Sequence, residues 1–334
     1  MSLNKPGNSS IYFSIILISY NHDDFFSDAL NSVINQIYDK SRIELIVVCK
    51  SFGKPIDIVK NTQFNFEVKL VINDDLSQGV KYKAAFQIAR YEWIALLDDD
   101  DMWRPDKLLV LSDLILKNNG LIYIHNSKKF INDEFHFNNI YGENIKEVKI
   151  DDFKMINKEE NNLINCMHNG SSITFKKQTI SNYKYLLANM PGGIDLYVFA
   201  SARMFQGKLL CLNQELTYFR IGQKNYKFNN AQLIGNLTRQ LKSYYAIKGI
   251  IQNDPKLSTF LQKEIISNQM KLNILGDLKY NRNESFRILK TAVQLKTNIN
   301  KEFLVLWLLF GITLINRKFV KRIYEFVTTS HNFK

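Results

Sequence analysis

Four consecutive carboxylates, Asp98 to Asp101, stand directly behind an apolar run in WIALLDDDDMWRPDKL, residues 93–108. Adjacent carboxylates repel one another. A folded chain keeps four together only where solvent screens them, or where a cation or several hydrogen-bond donors sit among them. Hard carboxylate oxygens suit Mg²⁺ or Mn²⁺, which retain several waters and bind through one or two carboxylates plus phosphate oxygens. The matching ligand would carry a diphosphate. An acidic run by itself is more often a solvated loop, so the elements around it must decide.

Those elements alternate. Ile11–Ser19 (IYFSIILIS) and Arg42–Val48 are short, nearly continuous apolar runs of the kind that form buried parallel strands, and Phe66–Ile72 and Trp93–Leu97 read as a third and a fourth strand. Between them Phe25–Gln36 and Gly79–Tyr91 carry apolar residues at helical spacing, and Pro105 suits a helical first turn. Strand and helix in alternation to about residue 120 imply an α/β domain with a mainly parallel sheet, in which ligands bind beyond the carboxyl ends of the strands. The aspartates, Tyr20–Asp24 and Cys49–Gly53 all fall at such ends, so three loops are expected at one crevice. Leu121–His125, Ser171–Lys176 and Leu209–Arg220 are further strand candidates, Leu196–Phe205 is a helix, and Lys128–Glu160 reads as a polar loop region. After Asn230 the spacing is helical.

The chain of 334 residues is 46% hydrophobic, enough for a large core. Its net charge of +12 is placed unevenly: residues 1–222 hold 25 Lys/Arg and 26 Asp/Glu, whereas residues 223–334 hold 19 and 6. The last third therefore seeks polyanions or presents a lysine-rich solvated surface. Cys49, Cys166 and Cys211 are odd in number and far apart, which makes a disulfide or zinc framework improbable and fits a reducing compartment. MSLNKPGNSS lacks a basic start followed by an apolar core, so no secretory signal is expected.

Five segments in order resemble the family-two glycosyltransferases: ILISYNHDDFFSDALNSVINQ, IELIVV, GVKYKAAFQIARYEWIALLDDDDMWRPDKL, HNGSSITFKK and GGIDLYVFASARMFQGKLLCLNQELTYFRIG. The resemblance covers about residues 11–222 and implies a Rossmann-like nucleotide-binding domain of the GT-A type over residues 1–222. Within it, residues 11–120 would form the sugar-nucleotide half and residues 121–222 the acceptor half. A basic helical region would follow over residues 223–334. It implies sugar transfer with inversion from a nucleotide-sugar donor, with a UDP-sugar as first choice and Mn²⁺ or Mg²⁺ as cofactor. Asp98 would bond the ribose. Asp100 would bind the metal with Asp101 assisting. Ser19, Tyr20, Asn21, Lys50, Asp74, Lys81, Asp99 and Arg220 would surround the sugar nucleotide. Asp195 would be the general base. His168, Asn169 and Trp103 would line the acceptor side, although burial beneath the crevice is the preferred reading of Trp103, and a structural ion pair is an equal reading of Arg220.

The pattern also departs from that family. Cys49-Lys50-Ser51-Phe52 stands where Asp-Asp-Gly-Ser is usual, and Lys50 has no acceptor for a base N–H, so Asp74 or Asp75 would read the base or the nucleotide differs. Ile194 replaces the usual Glu, Gly222 the frequent His, and Ala85 an Asn. A catalytically silent relative is therefore an alternative. A nucleotidyltransferase would carry a Gly-rich phosphate loop after the first strand, and Tyr20–Asp24 has no glycine. No known nucleic-acid module is evident in the basic region. The Gln-x-x-Arg-Trp pattern of processive synthases is absent, so one sugar per encounter is expected.

Phe303–Ile315 (FLVLWLLFGITLI) would span about 20 Å as a helix, short of the roughly 30 Å hydrocarbon core. Basic residues interleaved with apolar ones follow to about residue 327. Residues 303–327 thus suit the headgroup boundary of an anionic membrane, or else a helical core or dimer contact. With the family resemblance, this places the protein on the cytoplasmic face of the membrane, using a glycan or lipid-linked glycan acceptor.

Overall fold

The computed structural model describes residues 10–20, 23–140, 153–155, 166–222, 230–276, 282–294, 304–313, 320–321 and 324. The chain forms two compact units, Met1–Ala188 with Ile194–Gln223, and Asn189–Gly193 with Lys224–Lys334.

The first unit is built on β1 (Phe13–Ile18), α1 (Phe26–Ile34), β2 (Ile43–Cys49), α2 (Lys54–Asn61), β3 (Glu67–Ile72), α3 (Gln78–Ile88) and β4 (Trp93–Asp98). These are followed by β5 (Met102–Trp103), α4 (Lys107–Lys117), β6 (Leu121–Ile131), α5 (Phe137–Ile140), β7 (Phe153–Met155), β8 (Ile173–Lys176), α6 (Ile194–Met204) and β9 (Lys208–Arg220). Strands pair in the order β3-β2-β1-β4-β8-β6-β9-β5, and β7 pairs with β9. The first four strands are parallel. β8 runs antiparallel to both its neighbours, while β6 and β9 are parallel. The sheet is thus parallel from β3 to β4 and mixed from β8 to β5.

Every residue of β1 and β2 is buried, as expected for strands covered on both faces. Phe13, Ile15 and Leu17 of β1 share one core with Phe26, Leu30 and Val33 of α1 and Leu108 and Leu111 of α4. The register decides where the loops emerge. Ile18 pairs with Val48 on one side and Asp98 on the other, and Cys49 pairs with Ile72. Ser19, Lys50, Asn73 and Asp99 therefore leave neighbouring strand ends at the same level, and the expected convergence of loops is met.

Two expectations give way. The polar segment after His125 continues β6 to Ile131, because Lys128 to Ile131 pair in register with Thr217 to Arg220 of β9; backbone pairing there outweighs a polar composition. Cys166 and Cys211 form a disulfide, with their Cα atoms 5.8 Å apart. Their spacing of 45 residues hid a proximity made by the fold, and the compartment inferred from unpaired cysteines no longer stands. Cys49 is buried and free.

The second unit is helical: α7 (Asn230–Lys248), α8 (Pro255–Leu275), α9 (Arg282–Gln294) and residues 304–313. α8 shows why its ends fall where they do. Asp254 caps it by accepting from Leu257 N–H (3.1 Å), Pro255 occupies the first turn, and Gly276 closes it at φ 92°. Met270 and Ile274 of α8 pack with Ile288, Ala292, Phe310 and Val320 in a separate core. Among the described residues no helix is long and apolar enough to cross a membrane.

Candidate active site

The acidic run turns out to be partly interior. Asp99 and Asp101 are buried, while Asp98 and Asp100 are half-buried. Each buried carboxylate meets backbone donors. Asp99 Oδ2 accepts from Tyr20 N–H (2.7 Å), and Asp101 Oδ1 accepts from Arg220 N–H (3.0 Å). The four charges still crowd one another. Burial and the charges of Asp101, Asp100, Asp99 and Asp195 push Asp98 well above the usual carboxylate range. Burial, then the charge of Asp100, pushes Asp101 to about 7.

The donor set fits a cation. Asp101 Oδ2 is buried and has no hydrogen-bond partner among the described residues, and an unsatisfied interior carboxylate oxygen is costly unless a positive charge meets it. Among the described residues no group of three or more His, Cys, Asp or Glu forms a ready metal cage. Asp100 and Asp101 therefore suit an ion of the Mg²⁺ or Mn²⁺ kind, which completes its shell with water and phosphate oxygens.

One short loop, His168 to Ser172, joins this run to Asp195. Ser171 Oγ accepts from Asp98 N–H (3.0 Å). Gly170 lies so close to Asp98 that a Cβ there would stand 3.1 Å from Asp98 Oδ2, so glycine allows the approach. On the other side Asn169 N–H donates to Asp195 Oδ2 (3.3 Å), and Leu196 N–H donates to Asp195 Oδ1 (2.8 Å). His168 Nδ1 stands 3.7 Å from Asp195 Oδ2. Asn169 holds φ at 80°, the only positive φ outside glycine among the described residues. Such strain persists where surrounding structure over-determines it, often at functional sites.

The loop is anchored from beneath. Ser171 carbonyl oxygen accepts from Trp103 Nε1 (2.9 Å), Lys107 Nζ (2.6 Å) and Thr217 Oγ1 (3.1 Å). Lys107 is completely buried, and burial holds its ammonium well below the usual lysine range. This accounts for Trp103 and Lys107 following the aspartates: they fix the loop against Asp98. Trp103 is fully buried, so the acceptor-stacking reading is corrected to a positioning role. The Arg220 guanidinium donates from Nε to Asp100 O (3.0 Å) and from Nη1 to Asn132 O (2.7 Å), and it lies 3.9 Å above the Phe25 ring. Its Nη2 stands 3.6 Å from Asp28 Oδ2, the kind of structural ion pair given as the other reading of this residue.

At the carboxyl ends of β1 and β2, Lys81 is buried beneath Tyr20. Its Nζ donates to Ser19 O (3.1 Å) and lies 5.2 Å from the Tyr20 ring. Burial lowers its pKa, as does the charge of Lys50, while Asp99 opposes both. Ser51 donates from N (2.8 Å) and Oγ (3.0 Å) to Asp74 Oδ1, holding that exposed carboxylate beside the β2 end. Lys50 lies 5.9 Å from the Phe52 ring. Asn21 lies outside the described residues.

Sequence reasoning missed three contributors. Tyr82 is buried and donates to Asp98 Oδ1 (3.4 Å). His125 Nε2 donates to His168 O (2.7 Å) and so supports the loop from β6. Lys128, half-buried 4.1 Å from the Phe219 ring, feels the charges of Asp101 and Asp195, and burial lowers its pKa. A tyrosine in an amphipathic helix or a lysine in a polar stretch carries no signal of such a place.

Residues 14–178 match the model of glycosyl transferase family 2. They form a domain of that family. The chain is 34% identical over 98 residues to an uncharacterized glycosyltransferase of Nostoc sp., covering 28% of this chain and 30% of that one. It is 31% identical over 144 residues to UDP-Glc:alpha-D-GlcNAc-diphosphoundecaprenol beta-1,3-glucosyltransferase WfgD of Escherichia coli, covering 41% and 52%. The chain thus spans about half or less of these curated relatives. The structure of S. aureus TarS residues 1–349 in complex with UDP superposes with a TM-score of 0.57 at 12% identity, over 96% of this chain and 92% of that one. At that identity the likeness is one of fold, and it extends beyond the matched family-two residues.

Proposed function

We infer that this chain transfers one sugar, with inversion, from a nucleotide-sugar donor to an acceptor hydroxyl in the assembly of a cell-surface polysaccharide or a lipid-linked glycan. One observation carries the reading. The His168 to Ser172 loop touches the acidic run through Gly170 and Ser171, and touches Asp195 through Asn169. A base and a nucleotide-diphosphate site are thereby neighbours.

Asp195 takes the proton from the acceptor hydroxyl as its oxygen attacks the anomeric carbon and the nucleoside diphosphate leaves. The two backbone N–H donors hold both carboxylate oxygens in a fixed orientation, and such a base contributes about 10²–10⁴-fold. His168, about half exposed beside it, and Asn169 border the acceptor. Asp98 meets the ribose, with Ser19, Tyr20, Lys81 and Asp99 shaping the wall behind it. Asp100 and Asp101 would hold Mn²⁺ or Mg²⁺, which when bound offsets the charge of the departing diphosphate. Asp74 rather than Lys50 reads the base: it is an exposed carboxylate positioned by Ser51 where the usual aspartate is missing. WfgD, by its name, uses a UDP-sugar and a diphospholipid acceptor, which supports the same donor and acceptor classes here.

The test is Asp195→Asn assayed with nucleotide sugars and a lipid-linked acceptor. Turnover should fall by about 10²–10⁴-fold, while the rise in melting temperature given by UDP with Mn²⁺ is retained. Undiminished turnover would remove Asp195 as base. No melting shift with UDP, GDP, dTDP or CMP in the wild type would remove the donor assignment.

A further inference from the structure

The helix over residues 304–313 is apolar all round apart from Thr313, which is buried. Leu306 and Phe310 face the core of the second unit. Leu304, Val305, Leu308 and Ile312 are 46%, 50%, 49% and 42% exposed. At about 100° per residue these four positions fall within a single arc of roughly 100°. Trp307 and Gly311 continue that arc toward α9, where Trp307 Nε1 donates to Leu289 O (3.4 Å). Phe286, Arg287 and Lys290 are exposed on α9. Among the described residues nothing covers this helix half, which has no polar side chain, and an apolar face of that kind calls for a partner.

We propose that this face, Leu304-Val305-Leu308-Ile312 with Trp307 at its edge, seats in the headgroup boundary of an anionic membrane. Two observations select lipid. Residues 282–334 hold 10 Lys/Arg and 3 Asp/Glu, so the apolar face is set in a strongly cationic stretch of chain, complementary to an anionic headgroup layer. Four half-exposed side chains also make a patch of only a few hundred Å², short of the about 800 Å² per partner of a stable protein pair. The inference is independent of the sugar-transfer reading and names a surface in the other unit.

Tryptophan emission reports on this face directly. Of the three tryptophans, Trp93 and Trp103 are buried in the first unit at 2% and 0% exposure, which leaves Trp307. Full-length protein is mixed with phosphatidylcholine vesicles, with and without phosphatidylglycerol, whose acyl chains carry bromine near the headgroup. With phosphatidylglycerol the protein should co-sediment and lose part of its emission. Both effects should weaken at least about fivefold without the anionic lipid or at about 0.5 M salt. Leu308→Gln and Leu304→Gln, each alone, should weaken binding by about tenfold and leave the UDP–Mn²⁺ melting shift unchanged. Absence of co-sedimentation overturns the proposal, as does co-sedimentation without quenching, which would mean charge attraction alone. A concentration-dependent dimer in light scattering that Leu308→Gln dissociates also overturns it, assigning the face to a second copy. Loss of sugar transfer with vesicle binding intact counts against the proposed reaction and leaves this surface standing.

Discussion

At the scale of single residues, His125 shows how a loop can tie activity to stability. It is buried, donates to His168 O, and is held neutral: burial depresses its pKa from 6.5 to about 4. The unfolded chain therefore binds a proton near pH 6.5 that the folded chain refuses until about pH 4. Stability contributed by the neutral imidazole is present above the unfolded value and is lost as pH falls through that window. The loss amounts to about 3 kcal/mol. Asp98 and Asp101 act in the opposite sense, since carboxylates with raised pKa favour the folded state on acidification. The difference in denaturation free energy between wild type and His125→Gln isolates the imidazole. It should shrink steadily from pH 7 to pH 4, and a difference independent of pH would show that His125 titrates normally. None of this was legible beforehand. A histidine in an apolar strand reads the same whether its ring is buried or lining a cleft. Nor could Trp103 and Arg220 be separated from ligand contacts by residue type alone.

At the scale of elements, the strands were the legible part. β1, β2 and β4 are nearly continuous apolar runs, interrupted only by Ser14 and Glu44, that end at or next to polar residues, and runs of that short length bounded by turn signals read as buried strands. The acceptor half was harder for a physical reason. β6 passes from a buried segment to an edge-like one bearing Lys128 and Lys129, and pairing with β9 holds it without apolar alternation. α2 starts directly after Gly53 and carries Pro55 in its first turn, and these two residue types mark a turn before they mark a helix start. The disulfide belongs to this scale too. It ties the start of the active-site loop, at Cys166, to β9, at Cys211. The 45-residue separation corresponds to about 4 kcal/mol in the chain-entropy account. Dithiothreitol should lower the melting temperature of oxidised wild type and leave that of Cys211→Ser unmoved. Equal responses of the two proteins would show that the bond contributes nothing.

At the scale of the whole molecule, the sequence divided near residue 222 by charge and texture. Among the described residues one large core lies around β1, β2 and β4 and another around α8 and Phe310. Each core can melt as its own cooperative unit. Scanning calorimetry of the full chain is expected to resolve two components, with UDP and Mn²⁺ raising only the one that belongs to the first unit. A single component shifted as a whole would contradict this. The loop from His168 to Ser172 carries a last consequence. Under the proposed reaction the same five residues brace the donor side and the base, so a shift of the loop on binding one substrate would be felt by the other. Any factor by which the bound donor changes the affinity for the alcohol is then also the factor by which the alcohol changes the affinity for the donor.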